Sequence, residues 1–312
     1  MDYEQLTNFM GLVFLAIVPY ILASQGTMLA GQTGLFNVSQ EGVMLATASL
    51  GFLGAWRFDS LWAGVLVALL VGGLFGLLFA WFTTTLQLNQ FVTGLALFFV
   101  GLGLSTLAFK LAVGVTLTPP MIPTLRDLPI PGLSEIPIIG PILFNQNIFV
   151  YVALLLSAFL YYFLYQTSHG LNLRAVGENP RAADSMGIDV VRARYATAII
   201  GSMLVGLAGI YLPMVYTGTF TEGIVQGRGW LSTALTFFGG WRPHFIAAGA
   251  FFFAVVEVLA LRAQVFGARI PHQFLQTLPY LTTIIVMTIG ARWTRVPGFL
   301  GRNYVREARS VE

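Results

Sequence analysis

The chain of 312 residues has no cysteine, one lysine, three histidines and only 9% charged residues. The missing cysteines exclude disulfides and thiolate metal sites. The histidines, His169, His244 and His272, are too far apart in sequence to suggest paired metal ligands. A soluble domain carries about 25% charged residues, so this chain lacks the charge to cover a water-facing surface. Its net charge of +3 does not suggest a nucleic-acid partner. The lysine, Lys110, lies between Phe109 and Leu111. That context excludes the G-x-x-x-x-G-K-[ST] loop, whose lysine neutralises phosphate. No Ser/His/Asp or paired-carboxylate arrangement stands out, which argues against an enzyme.

The chain does have apolar sequence, at 56% of residues. Runs extend over Phe9–Leu29, Gly42–Trp56, Leu61–Trp81, Phe91–Phe109, Ile148–Tyr165, Tyr195–Tyr216, Trp230–Gly240, Phe245–Leu261 and Gln273–Gly290. A membrane span needs about 20 such residues. The pattern predicts an all-α polytopic membrane protein of about nine transmembrane or re-entrant segments, forming one transmembrane domain over 1–312. The first run follows Asp2 and Glu4 rather than a basic region, so it is expected to be a retained helix.

Gly42–Trp56 and Trp230–Gly240 are short and follow Gly-rich polar stretches. Short segments at matching places in two halves point to a transporter's substrate pathway. A shift of 185 positions brings Gly42, Leu50, Phe52, Gly54, Trp56, Arg57, Ala63 and Gly64 onto Gly227, Leu235, Phe237, Gly239, Trp241, Arg242, Ala248 and Gly249. The expectation is an inverted repeat, with halves at about 9–109 and 195–290 joined by a bridging helix at 148–165.

Arg174, Arg181, Arg192 and Arg194, with Arg292, Arg295, Arg302, Arg306 and Arg309 in the tail, mark the cytoplasmic side. The N-terminus is then outside and the C-terminus cytoplasmic, with 166–194 a cytosolic loop. Arg57, Lys110, Arg126, Arg228, Arg262 and Arg269 fall outside. Lys110–Asn147 holds seven prolines. It cannot be helical throughout, and is either a stiff external linker or a docking surface.

Within 166–194, Asn179 suits an N-cap, Pro180 the first helical position and Gly187 a C-terminal cap. A helix of about two turns follows, either an ordinary loop helix or a rigid knob for a cytosolic motor. Asn37 and Gln40 fit a capping box, with Glu41 in the first turn. Asn37, Ser39, Gln40, Glu41, Asn89, Trp230 and Thr236 are candidates to line a translocation path, as is Gln90. Structural capping or interface anchoring would explain the same residues. Glu257 is an acid well inside an apolar run, without an evident partner.

Arg174-Ala-Val-Gly-Glu-Asn-Pro-Arg-Ala-Ala183, followed by Met186-Gly-Ile188, resembles the coupling loop of permeases in the ribose, nucleoside and branched-chain amino acid ABC-importer superfamily. Gly34-Leu-Phe-Asn-Val-Ser-Gln-Glu-Gly-Val-Met44 resembles its first broken-helix motif. Pro129–Pro141, Gly227-Arg-Gly-Trp-Leu231 and Phe238-Gly-Gly-Trp-Arg-Pro243 are similar to the shorter permease of nucleoside systems associated with basic membrane lipoproteins. Many relatives have Gly at Ser39 and a variable residue at Gln40, so polarity there departs from the pattern. The resemblance implies a nucleoside importer of the bacterial plasma (inner) membrane. A simple-sugar or branched-chain amino acid permease is the alternative, and an ion-coupled secondary transporter relying on Glu257 the reading from another class. It also implies Glu178, Asn179, Pro180, Arg181, Ala182, Ala183 and Gly187 as the coupling residues. The implied partners are an ATP-binding cassette, a second permease in a heterodimer, an external substrate-binding lipoprotein and the lipid bilayer. The chain itself would bind no cofactor, with ATP and Mg used by the cassette.

Overall fold

The computed structural model describes residues 3–114, 118–137, 139–265, 277–278, 280–285, 288 and 295–305. In these the chain is a helical bundle: α1 (Tyr3–Gly31), α2 (Gln40–Arg57), α3 (Leu61–Ala80), α4 (Gln90–Val113), α5 (Ile139–Leu143), α6 (Ile148–Gln166), α7 (Ser168–Glu178), α8 (Pro180–Ser185), α9 (Val190–Leu212), α10 (Arg228–Phe238) and α11 (Pro243–Val265). α3 and α9 each end in a wider π turn, at Trp81–Thr85 and Pro213–Thr217. Six helices among the described residues are long and apolar enough to cross a membrane; they cover Glu4–Gly31, Leu61–Thr85, Gln90–Val113, Ile148–Gln166, Val190–Thr217 and Pro243–Ala263. The ninth run is helical at 277–278, 280–285 and 288, and its remainder lies outside the described residues, as do Arg269, Arg292, Arg306 and Arg309.

Side chains set the helix starts. Asn89 accepts from Val92 N, Asn147 from Phe149 N and Val150 N, Thr167 from Gly170 N, and Asp189 from Arg192 N. Each satisfies donors that the first helical turn leaves open. The expected capping box at Asn37 and Gln40 is not formed. α2 starts at Gln40 after Ser39, which makes no side-chain cap. Asn37 Oδ1 instead accepts Ser39 N at 3.0 Å, a turn that spends the acceptor one step before the helix.

α1 and α9 form the axis of the bundle. α1 packs on α9, α10, α11 and α6, and α9 packs on α1, α2 and α3. α2 packs on α3 and α4, and α10 on α11. The α1–α9 crossing is close because both helices present glycine. A Cβ on Gly26 would lie 2.3 Å from Gly201 O, and one on Gly201 2.5 Å from Gly26 O. Small residues let helices approach in lipid, where packing rather than water exclusion drives association.

Pro19 lies inside α1. Proline has no N–H, so the carbonyl four residues earlier, on Leu15, loses its helical donor. Tyr211 and Tyr216 of α9 and its π turn both donate to Leu15 O, at 2.9 and 3.1 Å. The break in one axial helix is thus repaired by hydroxyls of the other.

The connections gather at two ends. At one end Gln32 donates to Trp241 O, Phe299 N to Gly177 O, Gly301 N to Gly34 O and Gln87 to Tyr304 O. At the other end Ile122 N donates to Gly218 O, Leu125 N to Met214 O, and Lys110 pairs with Glu222 at 3.0 Å. There the proline-rich connection folds over the end of α9. It contains α5 and one two-residue antiparallel ladder, β1 (Leu128–Pro129) with β2 (Asn145–Gln146). Its non-helical course is as the prolines require.

Leu15 O gives a direct test of the axial repair. Either Tyr211→Phe or Tyr216→Phe alone should be mild, since one donor remains. The double variant leaves this half-buried carbonyl with neither donor and should lose about 1 kcal/mol. Thermal unfolding of the purified chain should therefore show a loss larger than the sum of the two single effects.

Candidate translocation site at two helix starts

α2 follows a non-helical connection from one end of the bundle, and α10 follows one from the other end. Their N-termini meet between the ends. A Cβ on Gly229 would lie 2.5 Å from Glu41 Cα, so the two backbones touch and only glycine fits. Glu41 is 7% exposed. Its Oε1 accepts Gly227 N and its Oε2 accepts Gly229 N, both at 2.8 Å. Gly227, the residue before α10, has φ +75°, a left-handed conformation that glycine adopts without steric cost. Glu41 was expected to serve the start of its own helix. Its carboxylate instead caps α10, where the helix dipole and open donors favour an anion.

Next to this contact is a buried ion pair. Arg228 Nη2 meets Glu257 Oε1 at 2.5 Å, with side-chain exposures of 12% and 16%. Tyr20 OH donates to Glu257 Oε2 at 2.9 Å. Arg228 Nη1 also reaches Ile224 O and Val225 O, at 3.4 and 3.3 Å. Two sequence expectations change here. Glu257 has a partner, 29 residues away and so invisible to local pattern. Arg228, counted from the sequence among the charges of the outer side, is largely buried in this pair. Pairing is the condition on which charges persist inside a membrane.

The other candidates divide. Ser39 and Gln40 are buried beside Glu41, and Ser39 Oγ and Gln40 Oε1 have no hydrogen-bond partner among the described residues. Orphan polar atoms at such depth suit a hydrated or ligand-bearing position. Asn37 is buried as well and approaches Gly94 of α4. Trp230 is 39% exposed and meets the Phe98 ring edge-on, with centroids 5.4 Å apart. Thr236 turns to α1, bonding Ser24 O at 3.1 Å and Ser232 O at 2.9 Å. Asn89 is exposed at the end of the bundle and caps α4. Gln90 is buried, accepting Phe36 N at 2.7 Å and donating to Arg302 O and Asn303 Oδ1. The structure thus brings together Asn37, Ser39, Gln40, Glu41 and Trp230, and leaves Thr236 and Asn89 in structural bonds.

The predicted coupling helix is α8. Asn179 Oδ1 accepts Ala182 N at 3.1 Å, Pro180 is in the first position and Gly187 has φ +84°. Glu178, Asn179, Arg181 and Ala182 are exposed, and Met186 is 82% exposed. Pro180 and Ala183 are buried, Ala183 at 3% against Val176, Val190 and Tyr304. Ala183 therefore belongs to the underside of the helix, not to its outer surface. Arg194, one of the arginines that mark the cytoplasmic side in the sequence, is not on the surface. It is fully buried, donating from Nε to Thr33 O and from Nη2 to Arg302 O. Sequence alone missed Arg194 and the tail residues, since their partners are 108 to 161 residues away.

The family profile described as branched-chain amino acid transport system / permease component matches residues 8–287. The chain belongs to this permease family. Its relatives include a provisionally assigned glucose ABC transporter permease, TsgC13, of Haloferax volcanii, 32% identical over 92% of this chain and 94% of that one. The guanosine ABC transporter permease NupQ of Bacillus subtilis is 30% identical over 94% of this chain and 92% of its own. The nucleoside ABC transporter permease NupC of Lactococcus lactis is 32% identical over 92% and 93%. The chain is thus a membrane permease subunit of an ABC transporter and not itself an enzyme; ATP is hydrolysed by a separate ATP-binding subunit.

The ion pair sets a prediction. Glu257→Gln leaves the Arg228 charge uncompensated and should cost about 3–5 kcal/mol. Replacing both partners, as Arg228→Met with Glu257→Leu, should recover most of that loss. Thermal unfolding in detergent checks the order; a double variant as unstable as the single would contradict the pair.

Proposed function

We propose that this permease imports nucleosides across a plasma membrane, working with an ATP-binding cassette, a second, non-identical permease and an external binding lipoprotein. The observation that carries the substrate reading is the likeness of NupQ and NupC over nearly the whole chain. The chemistry of the site supports a neutral, polar substrate. Glu41 already occupies the α10 N-terminus, and Arg228 is paired with Glu257, so neither offers a free charge to a zwitterionic amino acid. The exposed Trp230 face beside Phe98 suits a flat ring. A simple sugar is the second reading, favoured by TsgC13.

Broken helices with starts facing the middle of a bundle are a common transporter site. The packing supports an inverted repeat: α1 with α10 and α11 mirrors α9 with α2 and α3, and α2 with α3 mirrors α10 with α11. In this reading two packings of the halves alternate, opening the site to one side and then the other. The end carrying α8 faces the cytoplasm, and the N-terminus is outside. The proline-rich connection exposes Met121, Leu128, Leu133 and Ile139 at the outer end, an apolar surface for the lipoprotein. The cassette meets α8 at Arg181, Ala182 and Met186.

Two experiments test this. Cells carrying the whole transporter should accumulate labelled guanosine, and deletion of this chain should abolish uptake. Transport of glucose with guanosine neither carried nor competing would refute the nucleoside reading. For coupling, Ala182→Glu places an unpaired charge in the contact with the cassette. Cassette association, uptake and transport-stimulated ATP hydrolysis should fall together, by an order of magnitude or more. Normal association and uptake would remove α8 from the coupling role.

A further inference from the structure

Residues 298–304 run beneath α8 and are bonded on both sides. On the side of α7 and α8, Gly298 N donates to Glu178 Oε2 at 3.2 Å and Phe299 N to Gly177 O at 2.9 Å. Tyr304 OH donates to Asp184 Oδ2 at 3.1 Å, and its ring packs with Val176, Ala183 and Val190. On the side of the broken helix, Gly301 N donates to Gly34 O at 3.0 Å. Asn303 Nδ2 donates to Gln87 O at 2.6 Å and to Leu88 O at 3.0 Å. Gln90 closes the path: it donates to Arg302 O and Asn303 Oδ1 and accepts Phe36 N from the connection that leads into α2.

We propose that this segment is a tension strap: it links α8 to the starts of α2 and α4, with Asn303, Tyr304 and Arg194 as its positioning residues. The proposal rests on α8 being the coupling helix. α7 also touches the same connection directly, since a Cβ on Gly177 would lie 2.2 Å from Gln32 O. That contact transmits a push, because packed atoms resist approach. It transmits a pull poorly, because dispersion attraction is weak and a gap of about an ångström already forfeits up to half of it. Hydrogen bonds resist separation, and the strap places three in parallel on the α7–α8 corner, two on α7 and one on α8. An importer must reset as well as fire, so both directions of motion need a path.

Arg194 is the anchor. Its guanidinium is fully buried, bonded to Thr33 O on one side and Arg302 O on the other, 5.8 Å from the centre of the Phe299 ring. A buried cation held by carbonyls is costly unless those carbonyls stay in place. It therefore resists withdrawal of the strap from the α1 end.

The test uses the complete transporter, with Tyr304→Phe to remove the hydroxyl while keeping the ring, and Asn303→Ala to release the α4 end. Cassette association, cassette ATP hydrolysis and labelled guanosine uptake are measured per assembled complex. The expected result is unchanged association with uptake per ATP hydrolysed falling several-fold in each variant. A probe independent of substrate is thiol labelling at Leu88→Cys, an exposed side chain just before α4, clean in a chain without native cysteine. Its change on adding ATP with vanadate should be present in the otherwise native complex and reduced in both variants. Unchanged uptake per ATP and unchanged labelling would overturn the strap. Loss of assembled complex in both variants would overturn it too, by making the segment a scaffold. Ala182→Glu separates the two ideas: if it leaves association and transport normal, the coupling reading fails; if it abolishes them while the strap variants behave as native, the strap alone fails.

Discussion

A helix that begins in the interior of a bundle, between its ends, presents open N–H donors that need a partner there. The placement of α10 depends on the answer to that problem, the carboxylate of Glu41. It satisfies Gly227 N and Gly229 N from another helix, so the cap is also a tether between α2 and α10. Backbone contact at Gly229 follows from the same geometry. Rather than serving its own helix, this residue joins the two elements of the candidate site.

Once α10 starts between the ends of the bundle, its first residue, Arg228, is carried into the interior. The charge then needs a partner, and Glu257 of α11, held in turn by Tyr20 of α1, supplies it. Three helices are fixed around one start. The pairing also bears on mechanism. Glu257 is a paired acid with a structural role between α10, α11 and α1; membership of a permease family whose relatives are ABC transporter subunits is what separates the chain from an ion-coupled carrier.

Local chemistry made part of this legible in the sequence. The apolar runs gave the long helices, and Asn179, Pro180 and Gly187 gave α8, because caps act within a few residues of themselves. Glu41 was visible as a polar residue at a helix start, but its true partner is 186 residues away. The same distance problem hid Arg228–Glu257, the hydroxyl repair at Leu15, and Arg194. Ala183 shows a further limit. A small residue on a short helix suits a docking surface and a packed underside equally well, and the choice depends on where Tyr304 comes to rest.

These long-range contacts share one property that local ones lack: each joins elements that a transport cycle would move. A cap within a helix is indifferent to rearrangement of the bundle. Glu41 on α10, the tyrosines on Leu15 O, and Arg194 between Thr33 O and Arg302 O all change length if helices shift. A position that breaks one of them leaves a polar group unpaired, so intermediate positions that break them are disfavoured. Two arrangements that each satisfy these groups would then be separated by a barrier. That is the condition for a switch rather than a continuous flexing, and it makes the buried polar bonds, more than the apolar packing around them, the part of the chain that would define its states.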